Sequence, residues 1–312
     1  MNPRYTRKKK RVYKRQLYIG GSGNNRCVII DALEGEGLGN TLFILGAGLV
    51  AQKKTELPLC IIPPAKNPHT TSDYRNLLQG PNIHILERES AKPRLEVADS
   101  ILEIANGFAT AKWSNKNIKF NASSTKNAKL PARLYQNYLG VKSVIPTVKE
   151  ILMANEFSKR PVYRKLESET PAGSAFIHVR RGDYVNTGWS LDADYYLRGL
   201  DRISEDENIK TVWILSNDLK WCKTIDWKSR TKAEIKFYDS KNELGVLYRM
   251  ILCNCGAVIS PSTFSAWGAM MGADMNLTST IVYPLNWLTH DNDGDNPLDF
   301  PERWVGIPNK VA

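Results

Sequence analysis

The second half of the chain alternates short apolar runs with segments of helical periodicity, and this alternation restricts the possible folds more than any other feature. Runs with the character of strands lie at 175–180, 211–216 and 280–284, and the segments between them repeat apolar residues every three or four positions. Strands that alternate with helices are joined by crossover connections, so they lie parallel in one sheet with helices on its faces. The sequence therefore predicts an α/β fold.

The first half shows the same order less regularly. An apolar run that starts at Cys27 is followed by the glycine-rich segment 34–40 and a buried helix candidate at 41–54, and short strand candidates follow at 57–62 and 82–86. A chain of 312 residues is long enough for two hydrophobic cores. The predicted organisation is a flexible basic tail at 1–20, a first α/β domain at 21–165 and a second α/β domain at 166–312.

The region between the two sets of strands carries weaker patterns. Residues 97–109 and 143–157 have apolar residues at helical spacing, and the second of these helices is expected to begin near Pro146. The polar residues 115–129 predict a long surface loop. The charged, proline-bearing segment 159–174 predicts a linker between the domains.

The positive charge of the chain is concentrated at its beginning. The net charge is +11, but eight basic residues and no acidic residue precede position 16, so the remainder carries a net charge of +3. The run "RKKKRVYKR" is typical of a solvated arm, although such runs also direct nuclear import, bind nucleic acid or contact anionic membrane surfaces. Because basic and aromatic residues do not recur together in the body, a non-catalytic nucleic-acid-binding protein is only an alternative.

The sequence predicts a soluble, cytoplasmic chain. No window has the roughly 18 consecutive apolar residues of a membrane span, and the first apolar run is too short for a signal peptide. The five cysteines are odd in number and lie mostly in apolar segments, which predicts buried, reduced thiols and not a disulfide framework.

The stretch "FIHVRRGDYV" ends an apolar strand with two adjacent arginines, Arg180 and Arg181. Ligands bind at the carboxyl ends of strands in open α/β sheets, and guanidinium groups at that position suit a phosphate-bearing ligand. The structural alternative is a surface ion pair between Arg181 and Asp183.

Three further segments lie at predicted strand ends or helix starts. In "GEGLGN", Leu42 stands where the dinucleotide fingerprint requires its last glycine, which argues against a nicotinamide cofactor, although glycines before a helix still let backbone amides approach a phosphate. Two later polar clusters either face the same ligand or cap the next helix. These clusters are Ser216, Asn217 and Asp218, and Ser262, Thr263 and Ser265.

Together the four segments resemble, in order and spacing, the α-1,2-fucosyltransferase family. Its members pair a "GLGN" helix entry with an "H-x-R-R-G-D-Y" strand end and a later "S-x-S-T-F-S-x-W-G-A" segment. The likeness runs from Gly37 to Gly306 and includes "LYQNYL", "SNDLKWCK", "ELGVLYRMILCN" and "PERWVGI". The chain departs from the family at Thr41, where glutamine is more frequent, and at Ala266, where a second aromatic residue is more frequent. It also has the basic tail in place of the membrane anchor of animal members.

The resemblance implies a GT-B-like architecture, in which two Rossmann-like domains face each other across a cleft. It implies an inverting enzyme that moves L-fucose from GDP-β-L-fucose, held mainly by the second domain, to a sugar hydroxyl held by the first, with an α-1,2 linkage to a galactose-like acceptor. By match to the family motifs, Arg180 and Arg181 grip the diphosphate. His178 is expected to orient the donor or to be an inward-facing histidine satisfied by the core, and not to transfer a proton. The other expected donor contacts are Gly37, Gly39, Asn40, Ser216, Asn217, Asp218, Ser262, Thr263 and Ser265.

Asp183 is the candidate base for the acceptor hydroxyl because it lies close to the arginines. Two neighbouring guanidiniums stabilise the ionised carboxylate and weaken it as a base, so the alternative is that Asp183 orients Arg180 or Arg181. No metal ion or cofactor is expected, because the arginines can meet the charge that develops on the leaving diphosphate.

The rival enzyme class is a metal-dependent glycosyltransferase that uses another nucleotide sugar. The acidic segment "DNDGDN" at 291–296 has carboxylates for a divalent ion, but Asn296 stands where a calcium loop needs glycine, so we interpret the segment as a solvated loop. The predicted partners are GDP-fucose, a glycan or small sugar acceptor and, for the basic tail, anionic surfaces.

Overall fold

The structure is a computed structural model that describes residues 27–31, 37–63, 74–87, 103–105, 117–119, 128–130, 138–287 and 298–310. The predicted basic tail at 1–20 and the acidic segment at 291–296 lie outside these residues.

The first half forms a parallel four-stranded sheet and a separate antiparallel pair of strands. The sheet has the order β3-β2-β1-β6, and the pair consists of β4 and β5. The elements are β1 (Val28–Asp31), α1 (Leu38–Thr55), β2 (Leu59–Ile62), α2 (Tyr74–Leu77), β3 (Ile83–Ile85), β4 (Glu103–Ala105), β5 (Asn117–Lys119) and β6 (Ala128–Leu130).

Two predictions for this half are wrong in part. The helix expected at 97–109 is replaced, at Glu103–Ala105, by strand β4, and the loop expected at 115–129 contains β5 and most of β6. β6 pairs with β1 in parallel and is an edge strand of its sheet. Edge strands need no continuous apolar run, so the polar composition of this segment concealed its pairing.

A helical region connects the two sheets. It contains α3 (Tyr138–Val141), a 3₁₀ turn (Lys142–Val144), α4 (Ile145–Leu152), a π-helical turn (Met153–Phe157) and α5 (Pro161–Glu169). The helix predicted near Pro146 is confirmed, whereas the predicted linker at 159–174 is wrong because most of it forms α5. Pro161 occupies the first turn of α5, where a missing N–H costs no helical hydrogen bond, and Tyr163 and Leu166 on its inner face are buried.

The second half forms a six-stranded parallel sheet with the order β12-β11-β10-β7-β8-β9. Its elements are β7 (Ser174–Val179), α6 (Asp183–Thr187), α7 (Ala193–Ile203), β8 (Thr211–Ser216), α8 (Leu219–Cys222), β9 (Glu234–Tyr238), α9 (Glu243–Leu252), β10 (Gly256–Val258), α10 (Thr263–Met271), β11 (Thr280–Pro284) and β12 (Val305–Ile307), with 3₁₀ turns at Lys228–Arg230 and Ala273–Met275. The predicted α/β, GT-B-like class, with one parallel sheet from each half, is confirmed.

The largest hydrophobic cluster is shared by the two halves. It contains Val28 and Phe43 from the first sheet and its helix, and Trp267 and Trp304 from the second half. The rings of Phe43 and Trp267 lie 5.0 Å apart between their centroids. Since the cluster is continuous, the domain boundary near residue 165 stays a prediction.

Two predictions about buried groups and membranes can be compared with the described residues. Four of the five cysteines, Cys27, Cys60, Cys222 and Cys253, are buried, as their apolar surroundings in the sequence indicate. Within the described ranges, no helix combines the length and the apolar composition needed to cross a bilayer.

Candidate functional site

The four predicted segments meet at the carboxyl edge of the second sheet and at the start of α1. β7 lies between β10 and β8 in the sheet order, so the residues that follow these three strands share one edge. Arg180 and Arg181 follow β7, Asn217 and Asp218 follow β8, and Ser262 precedes α10 after β10.

Arg181 is held by three residues that follow β8, two in the loop and one in α8. Its Nε donates to Asp218 Oδ2 at 3.2 Å, and its backbone N–H donates to Asn217 Oδ1 at 2.9 Å. Its guanidinium carbon lies 4.0 Å from the ring centroid of Trp221, a cation–π distance. In the described part of the chain, its two terminal nitrogens have no hydrogen-bond or ion-pair partner. They are therefore available to an anion in a fixed orientation.

Asp218 caps the next helix, which is one of the two roles considered for it, and it also holds Arg181. Its Oδ1 accepts a hydrogen bond from Trp221 N at 3.1 Å and caps α8, while Oδ2 accepts from Arg181. Its own backbone N–H donates to Ser216 Oγ at 2.8 Å. The cluster after β8 thus supports Arg181 more directly than it presents polar groups to a ligand.

Arg180 pairs with Asp183, so the pairing of Arg181 with Asp183 considered from the sequence is wrong. Arg180 Nη2 lies 2.8 Å from Asp183 Oδ1, and its guanidinium carbon lies 5.2 Å from the ring centroid of Tyr184. The Tyr184 hydroxyl donates in turn to Pro261 O at 3.3 Å, which connects this loop to the one before α10. Arg180 Nε is buried and has no hydrogen-bond partner in the described part of the chain.

Gly182 is required between the arginines and Asp183. Its φ is +44°, and a Cβ at this position would lie 2.4 Å from Asn217 Nδ2. Any other residue would strain the backbone and displace the amide that holds Arg181.

His178 is a buried, neutral imidazole beneath the arginines. Its Nδ1 lies 3.1 Å from Ser260 Oγ, and its ring centroid lies 5.7 Å from that of Phe264. Burial, assisted by the charge of Arg180, lowers the pKa of His178 to about 3. The ring is therefore uncharged at physiological pH, and its contacts fit a role in ordering the loop before α10.

The starts of α1 and α10 touch each other, although they belong to different halves. The Thr263 hydroxyl donates to Asn40 Oδ1 at 2.6 Å. A Cβ on Gly39 would lie 2.3 Å from Phe264 N, so only glycine permits this approach. Gly37 is the residue that precedes α1 as its N-cap. The first turns of the two helices, with their terminal N–H groups, therefore lie side by side.

The serines near α10 differ in what they do. Ser265 is buried, and its hydroxyl lies within hydrogen-bond distance of Ser260 O and Ser262 O, at 3.1 and 2.9 Å, so it holds the loop and does not face outward. Ser262 is the N-cap residue, but its side chain makes no capping hydrogen bond. The simple serine cap considered from the sequence is therefore wrong for Ser262.

No pattern in the sequence indicates a contact between Tyr74 and Glu243. The Tyr74 hydroxyl of α2 donates to Glu243 Oε1 of α9 at 2.6 Å, which joins the two halves. Burial raises the pKa of Glu243, while the Tyr74 hydrogen bond and the charge of Arg180 act in the opposite direction. In the sequence, Glu243 follows Asn242 and reads as an ordinary acidic residue in the first turn of a helix.

Among the described residues, no three histidine, cysteine, aspartate or glutamate side chains are grouped as a metal site would require. The acidic segment at 291–296, on which the metal-dependent alternative rested, lies outside those residues.

The chain is similar in sequence to three curated glycosyltransferases over part of its length. It is 27% identical to an α-1,2-colitosyltransferase of Escherichia coli, with 43% of this chain and 47% of that protein covered. It is 23% identical to the O-antigen biosynthesis glycosyltransferase WbnK of Escherichia coli, with 47% and 48% covered. It is 27% identical to the galactoside 2-alpha-L-fucosyltransferase Sec1 of Mus musculus, with 47% and 43% covered. The chain spans about half the length of the curated relatives it matches.

Solved structures with a similar course of the chain include three glycosyltransferases. A glycosyl transferase family 9 protein from Veillonella parvula has a TM-score of 0.48 at 10% identity, with 94% of this chain and 90% of that one covered. The α-1,6-fucosyltransferase NodZ with GDP has a TM-score of 0.47 at 10% identity, with 80% and 93% covered. POFUT1 with GDP has a TM-score of 0.42 at 10% identity, with 84% and 99% covered.

The family model described as Glycosyl transferase family 11 matches residues 147–307, just over half of the chain. The match contains the helical region from α4, both arginines, the cluster after β8, α9, α10 and β12. It confirms the resemblance that the motifs indicated, and the chain belongs to glycosyl transferase family 11.

Proposed function

We propose that the chain is an inverting glycosyltransferase that moves L-fucose from GDP-β-L-fucose to a hydroxyl of a galactose-like sugar and forms an α-1,2 linkage. The observation that carries this proposal is the set of contacts made by the Arg181 guanidinium. Its guanidinium is fixed by Asp218 and Trp221, yet within the described residues its terminal nitrogens are unpaired at the edge where α/β sheets bind ligands.

The diphosphate of the donor lies against the two arginines. As the bond between the anomeric carbon and the phosphate oxygen breaks, negative charge accumulates on the phosphate, and fixed cations stabilise it most where water is excluded. Arg181 supplies its terminal nitrogens in paired geometry. Arg180, which is 23% exposed and already bonded to Asp183, supplies a second positive charge.

The helix starts complete the anion site. α10 begins at Thr263, after the strand next to β7, and Gly39 allows α1 to approach α10 closely. A diphosphate at this junction would receive backbone hydrogen bonds from both halves. Asp183 then acts by orienting Arg180, because its Oδ1 is already paired with the Arg180 guanidinium at 2.8 Å.

We also propose that the reaction needs no metal ion, since the two guanidiniums and the helix termini carry the charge of the leaving GDP. The names of two curated relatives of the chain indicate transfer of different sugars, colitose and fucose. Colitose is therefore a second candidate for the transferred sugar, supported by the similarity to the α-1,2-colitosyltransferase.

The test is a donor and acceptor matrix with the full chain. GDP-fucose, a colitose-bearing donor, GDP-mannose and UDP-galactose are each incubated with β-galactosides and with glucosides, and the products are identified by mass spectrometry and proton NMR. We expect transfer from GDP-fucose to O2 of galactose with the α configuration. Efficient transfer only from another nucleotide sugar, or retention of the β configuration, would contradict the proposal.

A further inference from the structure

Glu243 lies at the boundary between the two halves and near the arginines. It is the first residue of α9, which follows β9, and β9 is next to β8 in the sheet order. The start of α9 is therefore at the same carboxyl edge as Arg180. The charge of Arg180 acts on Glu243, and the Tyr74 hydroxyl reaches Glu243 from the first half at 2.6 Å.

The position of Tyr74 is supported by the π-helical turn at Met153–Phe157. Asn155 Nδ2 donates to Leu77 O at 3.0 Å and to Gln79 O at 2.5 Å. These bonds connect the end of α2, and Gln79 two residues after it, to the π-helical turn. Tyr74 is buried in the shared core, so its ring has little freedom to move. The hydroxyl is thus delivered to Glu243 by a rigid arrangement.

The carboxylates near the arginines differ in what binds them. Asp183 is in an ion pair with Arg180, and Asp218 is in an ion pair with Arg181 and caps a helix. Glu243 makes no ion pair within the described part of the chain, and its hydrogen bond comes from a neutral phenol. Glu243 is therefore the carboxylate of the three that is least committed to a cation.

We propose that Glu243 is the catalytic base that accepts the proton of the acceptor hydroxyl, and that Tyr74 is the positioning residue that orients it. This inference rests on the proposed transferase function and gives a role to Glu243, to which the resemblance assigned none. The acceptor is expected to come from the first half and the donor from the second, so their reacting atoms meet at the boundary that Tyr74 and Glu243 span.

In this step the acceptor O–H bond breaks and its proton passes to the Glu243 carboxylate. The acceptor oxygen forms the new bond to the anomeric carbon of the donor. The bond from that carbon to the diphosphate oxygen breaks, and its electron pair remains on GDP beside Arg180 and Arg181. The protonated Glu243 then releases its proton to water, which restores the enzyme.

The surroundings of Glu243 suit a base that works near neutral pH. Burial raises its pKa, and a carboxylate with a raised pKa removes a proton more effectively than an ordinary one. Burial and the neighbouring carboxylate also raise the pKa of Tyr74 far above its usual value, so Tyr74 stays a hydrogen-bond donor. Within the described residues, the charged or titratable groups around Glu243 are Tyr74 of α2, Arg180 after β7, and Tyr238 at the end of β9, whose hydroxyl is close to Gly245 in the first turn of α9.

The experiment compares Glu243→Gln, Tyr74→Phe and a matched control, Glu167→Gln. Glu167 accepts a hydrogen bond from Tyr248 and so forms the same kind of tyrosine–glutamate pair, but it lies on α5 and touches neither arginine. For each variant, kcat and KM for GDP-fucose are measured from about pH 5 to pH 9, a range that spans the raised pKa expected for a working base. GDP affinity is measured by calorimetry and folding by thermal unfolding.

We expect Glu243→Gln to lower kcat by about 100-fold or more and to remove the acid limb of its pH profile. GDP affinity should change by less than about threefold, because the charge of Arg180 is retained. Tyr74→Phe removes a hydrogen bond that stabilises the ionised carboxylate, so the pKa of Glu243 rises and the acid limb moves to higher pH. Glu167→Gln should change neither kcat nor the acid limb of its pH profile.

The outcomes separate this proposal from the one on which it rests. If the wild type transfers fucose from GDP-fucose and Glu243→Gln keeps a kcat near that of the wild type, Glu243 is not the catalytic base. The proposed transferase function would still hold. A large loss of GDP affinity with kcat retained would make Glu243 a donor-binding group and also overturn it. Absence of fucose transfer by the wild type would overturn both proposals.

Discussion

The hydroxyl of Thr263 donates a hydrogen bond to the side-chain oxygen of Asn40, 223 positions earlier in the chain, at 2.6 Å. This bond holds the first turn of α10 against the first turn of α1. Next to this bond lies Gly39, which has no side chain that would hold the two helices apart. This polar contact and this glycine align the first turns of the two helices, whose later turns pack through Phe43 and Trp267.

Thr263→Val keeps the shape of the side chain and deletes this contact. We expect the free energy of unfolding to fall by about 1 kcal/mol, because Asn40 Oδ1 loses a donor in a half-buried place. KM for GDP-fucose should rise as the helix starts lose their alignment. Thr224→Val is the control, since its hydroxyl donates to Trp221 O on an exposed turn, and a change within about 0.5 kcal/mol is expected there. Chemical denaturation measures both, and equal losses would refute a special role for Thr263.

Arg181→Ala should abolish most of the transfer and leave the fold intact. A charge-assisted hydrogen bond to phosphate contributes about 1.5–3 kcal/mol, which corresponds to a roughly 10- to 150-fold weaker affinity for GDP. Calorimetric titration with GDP measures this loss. Arg202→Ala is the matched control, because Arg202 is in an exposed ion pair with Glu205 away from the strand ends. GDP binding by Arg181→Ala at wild-type affinity would remove Arg181 from the site.

Arg180→Lys tests geometry at constant charge. Lysine keeps the positive charge, but a single ammonium cannot hold Asp183 and a phosphate oxygen in the planar, forked arrangement of a guanidinium. We expect kcat/KM to fall by about tenfold or more, which is a loss of about 1.4 kcal/mol in transition-state stabilisation. If the lysine variant keeps full activity, charge alone suffices at this position.

Chelation separates the two enzyme classes considered for this chain. Transfer measured after exhaustive treatment with EDTA should persist at its original rate, because the arginines and helix termini are proposed to carry the charge of the leaving GDP. Loss of activity that manganese or magnesium restores would favour a metal-dependent reaction. The acidic segment at 291–296 would then be the first place to mutate.

The sequence predicted the second half of the fold well because each strand and helix there is encoded locally. The runs at 211–216 and 280–284 became β8 and β11 with the same bounds. The prediction failed where pairing decided the structure, as in β6, a three-residue strand at the end of a polar segment that has β1 as its neighbour. A strand of that kind is visible only once its sheet exists.

The candidate site also has features that the sequence predicted and features that it did not. The position of Arg180 and Arg181 at the sheet edge was predictable, because they follow an apolar strand and the strand ends of one parallel sheet share an edge. The pairing of Arg181 with Asp218 and the contact between Tyr74 and Glu243 were not predictable. In the second case the two residues lie 169 positions apart, and neither carries a local signal beyond a buried aromatic ring and a helix start.

The continuous cluster around Phe43 and Trp267 affects how substrates enter. Two-domain enzymes commonly open by a hinge, and such motion is easy when the surface between the domains is small and polar. Here, wide separation of the halves would expose the faces of an indole and a phenyl ring that are buried together. Exposure of this apolar surface to water costs free energy, which opposes opening of the two halves. GDP-fucose is therefore expected to enter through local movement of the loops around the arginines, while the helices beneath them stay packed throughout the catalytic cycle.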